Sequence, residues 1–147
     1  MSEISDAAFI QPEDRDFSFL DPDAALTPAE VDRHMKMLNN ELARAQMALR
    51  RVRYKEIRDY KEFCDARSPL LLEADCPVVS KSAGVTVAQR DEWIQERLPA
   101  LWWTFQASKL VRISAEDYNT RLARQVRCIQ SINANARQAY DIGGRHS

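Results

Sequence analysis

"TPAEVDRHMKMLNNELARAQMALRRV", residues 27–52, carries the two signals that decide the fold. Thr27, Pro28 and Glu30 form a helix start. A Thr N-cap and a Glu three residues on satisfy each other's free amides, and Pro at the first helical position gives up only an N–H that has no partner there. Val31, Met35, Leu38, Leu42, Ala45, Leu49 and Val52 then follow at alternating spacings of four and three. This seven-residue repeat gathers apolar groups on one side of a helix and leaves the other side to Arg, Lys, Glu and Asn. The pattern predicts a helix over about 28–66, stopped at Ser68-Pro69, because the residue before a proline is pushed out of helical geometry.

Beyond it, residues 67–85, "RSPLLLEADCPVVSKSAGV", read as a connection with two prolines and a glycine, in which Leu70 to Leu72 and Val78 to Val79 could pack or pair briefly as strands. Thr86-Val87-Ala88-Gln89 repeats the capping-box spacing and opens a short helix to about Arg97. Pro99 breaks that helix and starts another, which runs without Pro or Gly to Ile142, with Gly143-Gly144 as its stop. At 1.5 Å per residue it is roughly 65 Å long. Its later stripe is Val111, Ala115, Tyr118, Leu122, Val126, Ile129, Ile132, Ala136 and Tyr140. Leu98, Leu101, Trp102, Trp103 and Phe105 instead surround the axis, so its first turns need cover on more than one side.

The 147 residues, 45% apolar and 29% charged, suit a soluble all-α protein, and only three glycines argue against sheets with tight turns. Cys64, Cys76 and Cys128 form no CxxC and only two histidines accompany them, so neither a metal site nor a disulfide framework is expected. The thiols read as reduced, in a cytoplasm, and no apolar run approaches a membrane span. The net charge of −1 hides an asymmetry. Residues 1–26 hold seven acidic groups against one Arg, whereas 27–66 and 99–147 are both net basic. We therefore expect an acidic, disordered tail over 1–26 and a helical domain over 27–147. The tail's Phe9, Phe17 and Phe19, set among carboxylates, also suit a short motif that docks on a partner or on the basic face.

Two long helices folded as a hairpin, with a short helix between them, have little with which to cover bulky ends. The surplus surface at Leu101, Trp102, Trp103 and Phe105, continued by Tyr118, Leu122, Val126 and Ile129, is expected to meet further copies of the chain in a helical homo-oligomer, a ring. On the first helix Arg44, Arg51, Lys55 and Arg58 fall within about 60° of one another, opposite the apolar side, with Tyr54 and Lys61 at their margin. Tyr60 lies on the apolar side, and Glu56 with Arg53 beside the stripe is a polar pair able to set register. Lys109, Arg124 and Arg127 lie opposite the stripe of the second long helix. Rows of cations with a flanking Tyr suit phosphates and unstacked bases, although helices commonly keep Lys and Arg on their solvated side. No Gly-rich phosphate loop, nucleophile–base pair or metal-ligand spacing marks an enzyme, and no cofactor is implied.

"RRVRYKEIRDYK" late in the first helix, "VTVAQRDEW" opening the next, and the closing "RQVRCIQSINANARQAYDI" together resemble the phage recombination mediators of the UvsY type over about residues 27–142. The resemblance implies a small helical protein of the host cytoplasm that assembles into rings, binds single-stranded DNA and helps load a RecA-like recombinase onto strands coated by a single-strand-binding protein. By the same resemblance Arg51, Tyr54, Lys55, Arg58 and Lys61 would contact DNA and the long C-terminal helix would drive assembly. The acidic first 26 residues are an addition to the family's pattern. The rival expectation is a helical scaffold or adaptor, as in virion morphogenesis, whose charged rows serve protein contacts.

Overall fold

A computed structural model of the chain describes residues 18–21 and 26–144. They form three helices, α1 (Pro28–Leu70), α2 (Val87–Arg97) and α3 (Pro99–Gly144). The fold is all-helical. Among the described residues there is no strand, and the pairing expected within 70–72 and 78–79 does not form. One isolated bridge, Ser80 to Val85, closes a turn in which Gly84 takes a φ of 68°, a conformation that favours glycine. Among the described residues no helix is long and apolar enough to cross a membrane.

The caps form as their spacing requires. The Thr27 amide donates to Glu30 Oε2 at 2.8 Å while the Glu30 amide donates to Thr27 Oγ1 at 3.3 Å. These bonds to Thr27 hold the Glu30 carboxyl below its ordinary range. Thr86 and Gln89 make the same reciprocal pair at 2.9 and 3.2 Å. Replacing Thr86 by Ala is expected to cost about 1 kcal/mol of stability in a denaturant titration followed by helical circular dichroism, whereas Thr86→Ser should cost a small fraction of that. α1 outruns its expected stop by four residues, with Pro69 inside its last turn. So near the end, Pro removes a single ladder bond, and the chain leaves through Leu71 N to Arg67 O and Leu72 N to Pro69 O. α3 likewise runs on through Gly143 to Gly144.

The described residues divide into two compact units, those up to Arg50 with those from Ile113, and 51–112. In the first, α1 up to Arg50 lies antiparallel to α3 from Ile113, and the two seven-residue stripes meet. Val31, Leu38 and Ala45 bury against Tyr118, Leu122 and Ile129, with Met35, Leu42, Val126 and Ile132 packed around them. Polar groups bridge the two helices: Tyr118 Oη donates to Glu41 at 2.8 Å, and Asn119 Nδ2 to the Ala45 carbonyl at 3.1 Å. In the described part of the N-terminal segment, Phe19, Leu20 and Leu26 pack against this core. Phe19 meets the Tyr118 ring edge-on at 6.4 Å under the Arg121 guanidinium, and Gln125 Nε2 donates to the Leu20 carbonyl at 3.3 Å. Residues 1–17 and 22–25, which hold Phe9, Phe17 and most of the acidic groups, lie outside the described residues.

In the second unit the rest of α1 lies antiparallel to the start of α3, and α2 covers one side of the pair. Phe63 packs on Trp102 at 5.4 Å and Tyr60 on Phe105 at 4.9 Å, while Ile94 of α2 is fully buried. A polar layer follows along the same seam. Arg112 bonds Glu56, and the buried Asp59 accepts from both Ser108 Oγ and Lys55 Nζ.

Candidate nucleic-acid interface

The two units place the expected cations differently. In the first, Arg44, Arg124 and Arg127 are exposed, and Arg44 stands 4.0 Å from the carboxylate of Glu41. In the second, Arg51, Tyr54, Arg58 and Lys61 all lie on the outward side of α1, and Lys109 is exposed on α3. Lys55 departs from the expected row. Its ammonium turns inward to Asp59 at 2.5 Å and to Ser108 Oγ at 3.0 Å, because it stands at the margin of the α1–α3 seam one turn before a buried carboxylate. Lys61 is held by Asp65 at 2.5 Å. The bond to Asp65 raises the Lys61 pKa above its ordinary value and fixes the side chain along the helix. Arg58 is only loosely engaged, 4.0 Å from Asp59.

What remains is a shorter stripe than the sequence suggested: Arg51, Tyr54 and Arg58, at spacings of three and four on one face of α1. Tyr54 is 75% exposed, with an arginine a turn away on either side. Among the described residues Arg51 makes no ion pair, so its guanidinium is available to a polyanion at little desolvation cost. A tyrosine ring flanked by guanidinium groups can take a stacked base while the arginines meet the adjoining phosphates. Ile57, 67% exposed, adds an apolar spot on the same side.

The residues expected to join copies fall into two groups. Tyr118, Leu122 and Ile129 are buried against α1 of the same chain and Val126 packs beside them, so no surface of Leu122 or Ile129 remains for a second copy while that packing holds. Leu101, Trp102 and Phe105 are half-buried, the last two in the aromatic seam of the second unit. Of the expected set, Trp103 alone is exposed. Three features were missed from the sequence: the place where Phe19 and Leu20 dock, against Tyr118, Arg121 and Gln125, the Asp59–Ser108–Lys55 cluster, and Arg112 as the partner of Glu56. A carboxylate at position 59, on the apolar side of a regular helix, was the available signal for the second. Arg53 is exposed, and Glu56 is bonded by Arg112 from α3.

A cleft of about 200 Å³ in the second unit, lined by Tyr60, Phe63, Arg67, Ile94 and Trp102, is smaller than the roughly 300–1,000 Å³ of small-molecule sites. Comparison with protein-family models, with characterised proteins and with solved structures finds no match to this chain.

Proposed function

We propose that the chain is a non-enzymatic, self-assembling protein that binds single-stranded DNA and acts as a recombination mediator, helping a RecA-like recombinase onto strands coated by a single-strand-binding protein. The observation that carries the binding part is the exposed Tyr54 held between Arg51 and Arg58 on the outward face of α1. The mediator role rests on the resemblance of "RRVRYKEIRDYK", "VTVAQRDEW" and the C-terminal helix to the UvsY type. Each chain offers few phosphate contacts, so useful affinity needs several copies engaging one strand, as in a ring or other oligomer.

Electrophoretic mobility of a labelled oligonucleotide at low and moderate salt is the test. Replacing Arg51, Tyr54 and Arg58 together by Ala is expected to weaken binding at low salt by about tenfold or more and to flatten the salt dependence, with helicity unchanged because all three side chains face solvent. Unchanged affinity in this variant would remove the site. The second reading, a helical scaffold or adaptor, is favoured by one observation, the exposure of Trp103 and Leu110 on α3. That reading predicts no discrete complex with the oligonucleotide at either salt concentration.

A further inference from the structure

The two outward faces of the second unit differ in kind. On α1 the outward positions carry Arg51, Arg58 and Lys61. On α3, Phe105, Ser108 and Arg112 face α1, which leaves Pro99, Trp103, Gln106, Ala107 and Leu110 on the opposite side. None of these five is charged, and Trp103 is 68% and Leu110 65% exposed. Nor does α3 hold any Asp or Glu before Glu116.

We infer that this face of α3 is the contact between two copies of the chain, packed antiparallel about a two-fold axis that passes between Gln106 and Ala107. Trp103 and Leu110 stand at equal distances from that point, so the symmetry sets Trp103 of each copy on Leu110 of the other. At the axis Ala107 permits close approach and the Gln106 side chains can hydrogen-bond each other. Charge selects this pairing over the alternatives. Two α1 faces would oppose Arg51 and Arg58 to themselves, and an α1 face against this α3 face would bury the Arg51 guanidinium where α3 supplies no carboxylate. Only α3 against α3 buries no charge.

The area fits a second copy of modest affinity. Trp103 and Leu110 leave roughly 300 Å² uncovered on each chain, within the range of exposed patches that mark interaction sites. Two copies with their flanking residues would remove roughly 1,000 Å², at the low end of specific interfaces. The inference rests on the self-assembly part of the reading above and supplies one of its contacts: a two-fold pairing closes at two chains, so a ring would join such pairs through a further contact. It is independent of nucleic-acid binding, since the basic stripe on α1 stays outward in both copies.

Sedimentation equilibrium of the full chain across about 1–100 μM tests it, with dissociation constants of micromolar order accessible there. The wild type is expected to approach the mass of two chains. Trp103→Glu and Leu110→Lys should each sediment as one chain, the dissociation constant rising at least about tenfold, with circular dichroism unchanged because both residues face outward. In the W103E/L110K double variant the two opposite charges meet across the axis and the dimer should return in part. A wild type that stays a single chain at about 100 μM, single variants that keep the wild-type mass, or a double variant no tighter than the singles would each overturn the inference. Oligonucleotide binding is read separately on the Arg51, Tyr54 and Arg58 variant, so failure of either reading is distinguishable from failure of the other.

Discussion

Leu122→Ala should lower the unfolding free energy of the chain by about 3 kcal/mol, read from urea titrations followed at the helical circular dichroism band. Leu122 has no solvent exposure and sits in the middle of the seam with Leu38, Ala45 and Ile129 in the same cluster. Truncation removes the transfer energy of the buried carbons and leaves a cavity that two long helices can only partly close, since neighbouring turns hold them apart. Leu122→Met, which nearly conserves volume, should cost less than about 1.5 kcal/mol. If Leu122→Ala were to cost no more than a surface substitution, below about 0.5 kcal/mol, the intramolecular packing of the two stripes would be wrong and the residue would be free for contacts between copies.

Asp59→Ala is expected to cost about 2–3 kcal/mol, and for a different reason. The Asp59 carboxylate is buried in the second unit and accepts from Ser108 and Lys55. Removing it strands a buried hydroxyl on α3 and leaves the Lys55 ammonium without its counter-charge. Because the Lys55 side chain keeps 40% of its exposure, water softens the second loss, and the figure belongs at the lower end of those for buried pairs. The triple variant Lys55→Met, Asp59→Leu and Ser108→Ala removes every member of the cluster and should return to within about 1 kcal/mol of the parent. The contrast between the single and the triple variant is the informative measurement. A triple variant as unstable as Asp59→Ala would mean that the cluster stabilises the seam outright. A triple variant that regains stability would leave the cluster the role of fixing register, together with Arg112 and Glu56.

The same cluster bears on function. Lys55 was expected to extend the cationic row of α1, and its capture by Asp59 shortens the stripe to Arg51, Tyr54 and Arg58. From sequence alone, Lys55 and Arg58 both stand opposite most of the apolar stripe, but Lys55 precedes Asp59 by four residues, the spacing that brings side chains together, whereas Arg58 is its chain neighbour. What spacing did not show is that Asp59 is buried and that α3 supplies Ser108 to the same cluster. The rule that an exposed cation with a carboxylate four residues on is partly neutralised applies equally to Lys61 and Asp65, and there it could be read directly from spacing.

Local chemistry alone determined where the helices of this chain begin. The capping boxes at Thr27 and Thr86, the break at Pro99 and the repeats of four and three are properties of residues within a turn or two of each other, and they place the helix starts as the structure does. The all-helical class follows from the same signals. What tertiary structure decided is which surfaces were already in use. The stripes on α1 and α3 look identical whether they meet within one chain or between chains, because periodicity records that a face is apolar and not what covers it. Only the antiparallel packing assigns Tyr118, Leu122 and Ile129 to the chain's own core, brings Phe19 and Leu20 onto it, and leaves Trp103 and Leu110 uncovered. Burial depends on contacts between residues tens of positions apart, and such contacts leave no mark in the local pattern.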